Sequence, residues 1–305
     1  MKVYHHLDEF KKPEKTVVTT GTFDGVHVGH QKIINRLVDV ANKTGAESVI
    51  LTFFPHPRMV LHQDLDIKLI QTLQERIREL GATGLDHLII HPFSKEFSRL
   101  SSLEFVRNIL VNQLGVETLV IGYDHHFGRN REGSFEHLKE FGPVYGFEVE
   151  EIEVQDVDQI SVSSTKIRKA LKAGDVVSAA TFLTRPFELE GEVVKGKQLG
   201  RKLGFPTANI KIPESYKIYP KNGVYAVDVQ YNNRSFKGML NIGFRPTIDG
   251  EDLSIEVHIF DFDKEIYGET IRIFLTKMIR EEIKFDSVSD LKAQLEKDKI
   301  QVENV

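Results

Sequence analysis

Residues 20–30 read TGTFDGVHVGH, and this stretch determines the fold predicted for the first half of the chain. The β-branched run TVVTT at residues 16–20 precedes it and predicts a buried strand. After it, apolar residues recur at helical spacing from Ile33 to Ala41, and Gly45 marks the expected helix end. The stretch is therefore predicted to turn from a strand into a helix. Backbone N–H groups are unpaired at such a helix start, and the helix dipole favours an anion there.

The rest of the first half continues to alternate strands and helices. Strands are predicted at residues 48–54, 88–90, 118–121 and 147–154, and helices at residues 69–80 and 103–114. Such alternation is typical of a parallel sheet with helices on its faces. The first half is therefore predicted to be a Rossmann-like α/β domain.

The second half has a two-residue period. Residues 224–231, 255–260 and 271–276 alternate in strand fashion, and Asn232-Asn233 supplies a hairpin turn. A last helix is predicted at residues 288–297, capped by Ser287 or Ser289. This pattern favours a small antiparallel β-barrel with a terminal helix, with a sandwich as the alternative. The period changes near residues 184–186, so we predict two domains, 1–184 and 185–305.

Composition excludes several classes of protein. The chain has 305 residues, 40% hydrophobic and 28% charged, which is usual for folded globular chains. It has no cysteine, so disulfides, thiolate zinc sites and a catalytic thiol are excluded. The net charge of −5 disfavours a general nucleic-acid binder. No apolar stretch is long enough to span a bilayer, and the N-terminus lacks the apolar core of a signal peptide. We therefore expect a cytoplasmic protein without a membrane or nucleic-acid partner.

Two histidines give the first stretch its chemistry. His27 and His30 lie at the strand–helix junction, where imidazole N–H groups can donate to phosphate oxygens. Nucleotidyl transfer depends mainly on such charge stabilisation around an in-line transition state. The alternative is a plain glycine loop with two surface histidines. A metal site is less favoured, because no third ligand is evident.

A second stretch, residues 191–209, reads GEVVKGKQLGRKLGFPTAN. Its glycines let backbone approach a ligand, and basic side chains lie between them, a composition that suits phosphate. Thr207 and Asn209 offer neutral oxygen ligands of the kind that Mg²⁺ takes. From these residues alone, a phosphate site and a basic hairpin loop remain equally open.

Four motifs of the first half resemble those of bacterial FAD synthetases of the HxGH nucleotidyltransferase superfamily. They are TGTFDGVHVGH, TFFPHP at residues 52–57, GYDHHFG at 122–128 and SSTKIR at 163–168. The resemblance implies that His27 and His30 bind ATP phosphates and stabilise the pentavalent phosphorus. It also implies a structural or substrate-positioning role for His56. The residues that it places in the substrate pocket are Gly21, Phe23, Asp24, His56, Asp124, Ser164, Thr165 and Arg168.

The second half resembles riboflavin kinases. The motifs are GKQLGRKLGFPTAN at residues 196–209, GMLNIGFRPT at 238–247, IEVHIFDF at 255–262 and REEIKF at 280–285. The resemblance implies that Thr207 and Asn209 bind Mg–ATP and that Glu256 accepts the proton of the ribityl 5′-hydroxyl. Alternation on its strand places Glu256 opposite the apolar face. The remaining implied binding residues are Gly196, Lys197, Gly200, Arg201, Lys202, Gly204, Pro206 and Arg280.

The motifs of both halves together predict a bifunctional enzyme. It would make FMN from riboflavin and ATP, then FAD and pyrophosphate from FMN and a second ATP, with Mg²⁺. One departure from the pattern is His125, which stands where the family usually has an aromatic residue. Flavin stacking there would be weaker and pH-sensitive, so a riboflavin kinase with a weakened adenylyltransferase half is the alternative. A non-enzymatic flavin or RNA sensor is a third, disfavoured by few aromatics and a short basic stripe. We expect at most a weak homo-oligomer.

Overall fold

The chain folds into two compact units, Met1–Ser164 and Thr165–Val305. A computed structural model describes residues 1–61, 66–122, 125–152, 156–157, 160–196, 199–247 and 250–305. The domain boundary at residues 184 and 185 stays a prediction, because the units are divided by compactness alone. No helix in the described residues has the length and apolar character needed to cross a bilayer.

The first unit is built on a parallel sheet of six strands in the order β1-β4-β3-β2-β5-β6. The strands are β1 (Lys2–Tyr4), β2 (Thr16–Thr20), β3 (Glu47–Phe53), β4 (His87–His91), β5 (Val116–Gly122) and β6 (Glu148–Ile152). A short antiparallel pair follows, β7 (Asp156–Val157) and β8 (Ile160–Ser161). The chain runs outward in both directions from β2 and β5. The crevice at their carboxyl ends is where open α/β sheets bind ligands.

Helices connect these strands. They are α1 (Val28–Thr44), α2 (Pro57–Val60), α3 (Leu73–Gly81), α4 (Ser102–Glu104), a π-helical segment (Phe105–Gln113) and α5 (Phe135–Tyr145). Helix α1 ends at Gly45, as predicted, in the left-handed conformation (φ 69°). The helix predicted from residue 69 begins instead at Leu73, because Thr72 and Glu75 form a capping box. The segment predicted as an ordinary helix at residues 103–114 is mostly π-helical.

Both faces of the central strands β2 to β5 are buried, which explains their largely apolar sequences. On one face, Val17, Ile50 and Leu88 pack against Ile34 and Leu37 of α1. On the other, a second cluster is formed by residues that include Val18, Val49, Leu51, Ile89 and Phe105. The alternation along each strand therefore divides its residues between two cores, and the loops after the strands are free to carry chemistry.

The second unit is a closed antiparallel barrel, which decides between the predicted barrel and a sandwich. Its strands run in the order β10-β13-β12-β11-β14-β9. They are β9 (Phe187–Val194), β10 (Ala208–Lys211), β11 (Gly223–Tyr231), β12 (Arg234–Thr247), β13 (Gly250–Ile259) and β14 (Thr270–Arg280). The helices of this part are α6 (Ser164–Ala173, which starts at the last residue of the first unit), α7 (Val176–Leu183), α8 (Leu199–Leu203) and α9 (Val288–Glu303).

The terminal helix covers part of the barrel's outer surface. Met239 and Phe260 are buried in an apolar cluster with Val302 of α9. The face of β13 opposite its apolar row is partly buried. His258 on that face is 9% exposed, and Phe260, which follows the strand, is 6% exposed. Ser287 caps α9, and the helix extends beyond the predicted end. The hairpin at Asn232-Asn233 is confirmed, with φ of 47° and 59°.

Candidate active sites

The loop after β2 is held in a strained backbone conformation. Phe23 and Val26 have φ of 48° and 40°. A positive φ is a genuine outlier for a β-branched residue such as Val26, and it persists only where the surroundings fix it. Strain of this kind clusters at functional sites, so it marks the TGTFDGVHVGH loop independently of its sequence.

His27 and His30 come together at the start of α1. His27 is the N-cap, and its Nδ1 accepts a 3.4 Å hydrogen bond from the His30 backbone N–H. The two rings stack with centroids 3.7 Å apart, and the Phe23 ring lies 5.1 Å from that of His30. A Cβ at Gly29 would lie 3.3 Å from the His27 ring, so glycine leaves room for the imidazole. The HxGH spacing therefore builds one paired-imidazole unit.

His30 is held in its neutral form. Burial lowers the pKa of His30 well below its ordinary value, and the charges of His27 and Arg76 lower it further. Among the described residues, its buried Nδ1 has no hydrogen-bond partner. A neutral imidazole has one donor and one acceptor nitrogen. Nδ1 of His30 is therefore a buried polar atom without a hydrogen-bond partner among the described residues, and it lies beside a strained loop at the start of α1.

Asp24 shapes this pocket through the backbone. It is 2% exposed, and its carboxylate accepts hydrogen bonds from the backbone N–H groups of Ile70, at 2.9 Å, and Gln71, at 3.2 Å. The hydroxyl of Ser164 donates to the Asp24 carbonyl oxygen at 2.9 Å. Asp24 and Ser164 therefore fix the walls of the loop. The backbone bonds of Asp24 also explain why residues 69–71 are not helical.

His56 and His125 have local partners. His56 is the N-cap of α2, and its Nδ1 accepts from the Arg58 backbone N–H at 3.2 Å. The His125 ring stacks on Phe127, with centroids 5.9 Å apart, and its Nε2 lies 3.3 Å from the Thr20 hydroxyl oxygen. Burial, followed by the charges of His126 and Arg131, lowers the pKa of His125 to about 4. The His125 ring is therefore neutral at pH 7, and its stacking on flavin stays a prediction.

Four other residues were predicted for this site. Gly21 lies between β2 and Phe23, where a Cβ would come within 3.2 Å of the Phe23 ring. Asp124 lies outside the described residues. Thr165 and Arg168 lie on α6 in the second compact unit. Their roles in substrate binding stay predictions.

In the barrel, two hydroxyl groups bracket the carboxylate of Glu256. The Thr207 hydroxyl donates to Oε2 at 3.0 Å, and the Ser254 hydroxyl donates to Oε1 at 3.1 Å. Sequence analysis missed Ser254, although its position two residues before Glu256 on a strand places both side chains on one face. Each oxygen of the carboxylate is therefore oriented by a different hydroxyl group.

Strand register places two asparagines beside this glutamate. Asn209 of β10 and Asn241 of β12 are each directly opposite Glu256 of β13, one on either side. Side chains at opposite positions share a face of the sheet. A Cβ at Gly196 would overlap the Asn209 amide, so glycine is needed for this close approach. Asn241 lies in the GMLNIGFRPT motif and was not singled out from the sequence.

The glycine-rich loop before β10 is tightly folded. The Phe205 backbone N–H donates to the Gly200 carbonyl at 2.9 Å, and Gly204 has a φ of 84° that favours glycine. The Pro206 carbonyl accepts from His258 Nδ1 at 2.7 Å. Arg201 is exposed and lies 3.6 Å from Glu265. Lys197 lies outside the described residues, as does the side chain of Lys202, so the predicted basic cradle is described only in part.

Arg280 is part of a buried ion pair. Its Nη2 lies 2.8 Å from Asp298 Oδ2, and the two side chains are 16% and 0% exposed. Gln294 Nε2 donates to the same carboxylate at 2.8 Å. This arrangement joins β14 to α9. The contact with flavin or phosphate predicted for Arg280 stays a prediction.

The donor set around Glu256 fits a hard divalent cation bound together with nucleotide phosphates. A hydroxyl, an amide and a carboxylate supply oxygen ligands, and Mg²⁺ usually takes few protein ligands and completes its shell with water and phosphate oxygens. The Thr207 hydroxyl donates a hydrogen bond to Glu256, so the lone pairs of the hydroxyl oxygen stay available to a cation.

Two family models together account for nearly the whole chain. One described as FAD synthetase matches residues 9–166, and one described as riboflavin kinase matches residues 183–305. With the paired imidazoles in the first unit and the bracketed glutamate in the barrel, they define the class: an enzyme that joins a nucleotidyltransferase fold to a kinase barrel.

Curated relatives match over almost their full length. The bifunctional riboflavin kinase/FMN adenylyltransferase of Listeria monocytogenes is 40% identical over 299 residues, which cover 96% of this chain and 94% of the relative. That of Bacillus subtilis is 38% identical, with coverage of 97% and 93%. The chain therefore belongs to the family of bifunctional riboflavin kinase/FMN adenylyltransferases.

A solved structure shares the whole fold. The crystal structure described as a macrolide-efflux protein from Streptococcus pneumoniae has a TM-score of 0.91 and 33% sequence identity. The match covers 100% of this chain and 99% of that chain. The pairing of the two units in one chain therefore recurs in a solved structure.

Proposed function

We propose that the two reactions of this enzyme take place in separate pockets, FMN adenylylation in residues 1–184 and riboflavin phosphorylation in residues 185–305. The chain is a bifunctional transferase that phosphorylates riboflavin to FMN and adenylylates FMN to FAD. The observation that carries the proposal is that each compact unit contains its own polar constellation. His27 and His30 stack in the first, and two hydroxyls bracket Glu256 in the second.

In the first pocket, His27 and His30 contact the phosphates of ATP at the start of α1. Adenylyl transfer forms a bond between an FMN phosphate oxygen and the α-phosphorus of ATP, and it breaks the bond to pyrophosphate. Negative charge develops on the transferred group and the leaving group. Donors fixed in advance stabilise this charge at little reorganisation cost. The strained loop and the α1 N-cap supply that fixed geometry.

In the second pocket, the oxygen of the ribityl 5′-hydroxyl attacks the γ-phosphorus of ATP, and Glu256 accepts the proton of that hydroxyl. The hydroxyls of Thr207 and Ser254 orient the carboxylate toward one direction of approach. Thr207 and Asn209 would hold Mg²⁺ with the nucleotide, and the cation would supply positive charge beside the phosphates. ADP leaves as the bond from its β-phosphate oxygen to the γ-phosphorus breaks.

The kinase-only alternative is not favoured. It rested on His125, yet both family models match and the His125 ring is neutral and stacked on Phe127. A neutral ring can still present a flat face to a flavin. We therefore assign both activities to this chain.

We also propose that the enzyme works in the cytoplasm on small molecules, with at most weak self-association and no nucleic-acid partner. The net charge of −5 supports the last point, because an acidic protein repels a polyanion.

The test uses the purified full chain. Riboflavin, ATP and Mg²⁺ are supplied together, FMN and FAD are separated by chromatography, and FMN is then supplied in place of riboflavin. We expect FMN and FAD from the first mixture, FAD from the second, and neither product without a divalent cation. Absence of FAD from both mixtures would contradict the assignment of the first pocket.

A further inference from the structure

Arg76 is a buried cation on the core-facing side of α3. The residue is 4% exposed, and it lies one turn from Leu73 and from the buried Leu80. Burying a guanidinium group is unfavourable unless its N–H groups find acceptors. The partners of Arg76 therefore indicate why an arginine stands at a position where the helical pattern calls for an apolar residue.

Two of those partners lie where β2 and β3 lead into the first pocket. Nη1 of Arg76 donates to the carbonyl oxygen of Thr22, and Nη2 donates to that of Phe53 at 3.4 Å. Thr22 lies in the TGTFDGVHVGH loop after β2, and Phe53 is the last residue of β3. The two strands are adjacent and parallel. One guanidinium group thus joins both strand ends at the edge of the sheet where open α/β sheets bind ligands.

The first turn of α3 is itself fixed to this loop. The Thr72 backbone N–H donates to Glu75 Oε2 at 2.8 Å, and the Glu75 N–H donates to the Thr72 hydroxyl at 3.2 Å. Just before it, Ile70 and Gln71 donate to Asp24. Because the helix start is anchored on both sides, Arg76 reaches the carbonyls of Thr22 and Phe53 from a rigid base.

We propose that Arg76 is a positioning residue for adenylyl transfer: its planar guanidinium sets the separation of the loops after β2 and β3, and so the placement of the His27–His30 pair against the TFFPHP motif. The inference rests on the proposed function of this pocket. Its positive charge also contributes to keeping His30 neutral. No side chain other than arginine offers a fork of donors that spans two carbonyl oxygens.

The test compares Arg76→Met, Arg76→Lys and Arg76→Ala in the full chain. We expect Arg76→Met to lower kcat for FAD formation roughly 10- to 100-fold, since small misplacements at a reacting centre cost that much. KM for ATP and FMN should change far less. Arg76→Lys should recover only part of the rate, because an ammonium group cannot span both carbonyls. Millimolar guanidinium ion should raise the FAD-forming rate of Arg76→Ala.

Two controls distinguish a positioning role of Arg76 from a general effect on folding. In the first, riboflavin phosphorylation by the Arg76 variants should stay at the wild-type rate. Arg36→Met removes the hydrogen bonds of a partly exposed arginine of α1 to Glu150 and should leave FAD formation unchanged. Hydrogen exchange at residues 20–24 and 53–56 should speed up in Arg76→Met.

Each outcome separates the hypotheses. An Arg76→Met enzyme with wild-type kcat, or parallel loss of both activities with no guanidinium rescue of Arg76→Ala, would overturn the positioning role. A wild-type chain that makes no FAD would contradict the proposed function instead. If Arg76→Met does not fold, Arg76→Lys and the rescue of Arg76→Ala decide the question alone.

Discussion

The Thr207 hydroxyl donates a 3.0 Å hydrogen bond to Oε2 of Glu256, although the two residues are 49 positions apart in the chain. This bond joins the PTAN segment to the strand that carries the proposed base. It holds the carboxylate in one orientation, and an oriented carboxylate is what proton transfer from a bound hydroxyl requires.

We expect Glu256→Gln to lower the rate of riboflavin phosphorylation roughly 100-fold or more, because the amide cannot accept the ribityl proton. FAD formation from supplied FMN should be unchanged. The matched control is Asp228→Asn, a barrel carboxylate that pairs with Lys237 at 3.3 Å. Steady-state rates with riboflavin and with FMN give the comparison, and a Gln variant that phosphorylates riboflavin normally would remove Glu256 from its role.

Ser254→Ala should reduce kcat for riboflavin phosphorylation about tenfold, with KM for ATP nearly unchanged. The lost hydrogen bond goes to a charged group, and such bonds contribute about 1.5–3 kcal/mol, while 1.4 kcal/mol corresponds to about tenfold in rate. Ser254→Thr keeps the hydroxyl and should stay near the wild-type rate. Equal rates for the Ala and Thr variants would show that Ser254 does not orient the base.

His30→Ala should lower FAD formation at least roughly 100-fold, since a donor fixed beside the transferred phosphate is removed. Riboflavin phosphorylation should be spared, because Glu256 and its hydroxyl partners belong to the other compact unit. His5→Ala, at an exposed position, is the control. A fall of both activities together would argue against separate pockets.

Acid should destabilise the first unit before its carboxylates protonate. Burial, followed by the charge of His6 and against that of Asp8, lowers the pKa of His91 from 6.5 to about 4, and His125 is lowered to the same value. The unfolded chain then takes up protons that the folded chain does not. The contribution of these two neutral histidines to stability is therefore complete above pH 6.5 and is lost as the pH falls from 6.5 to about 4.

This pH dependence can be measured by urea unfolding between about pH 7 and pH 5. His125→Phe should reduce the slope of unfolding free energy against pH by up to about 1.4 kcal/mol per pH unit, because one proton-binding difference is removed. His5→Phe serves as the surface control. An unchanged slope in His125→Phe would mean that this histidine does not couple protons to folding.

Much of the fold could be predicted because its signals are local. The β-branched strand at residues 16–20, the helix that ends before Gly45 and the Asn232-Asn233 hairpin are each set by neighbours a few positions away. Residues 69–71 deviate for a local reason, the capping box of Thr72 and Glu75, and for a tertiary one, the bonds from Ile70 and Gln71 to Asp24. The burial of Phe260 in a cluster with Val302 likewise depends on α9, which strand alternation cannot reveal.

The candidate sites divide in the same way. His27 and His30 are three positions apart, so their proximity could be predicted from sequence spacing. Ser254 could have been found in the same way, because it lies two residues before Glu256 on a strand. Arg76 lies 54 positions from Thr22, so their contact depends on the fold. An arginine on the apolar stripe of α3, between Leu73 and Leu80, was the available signal for it.

Arg280 forms an ion pair with Asp298, and Phe260 is buried in one cluster with Val302. These contacts limit how far the kinase half can be shortened to make a minimal catalyst. Trimming the chain to its six barrel strands would return the guanidinium to water but would also uncover an apolar patch around Met239 and Phe260. Such a truncated barrel should aggregate. A useful fragment must therefore retain the sequence through Val302, and fusion partners belong beyond that residue.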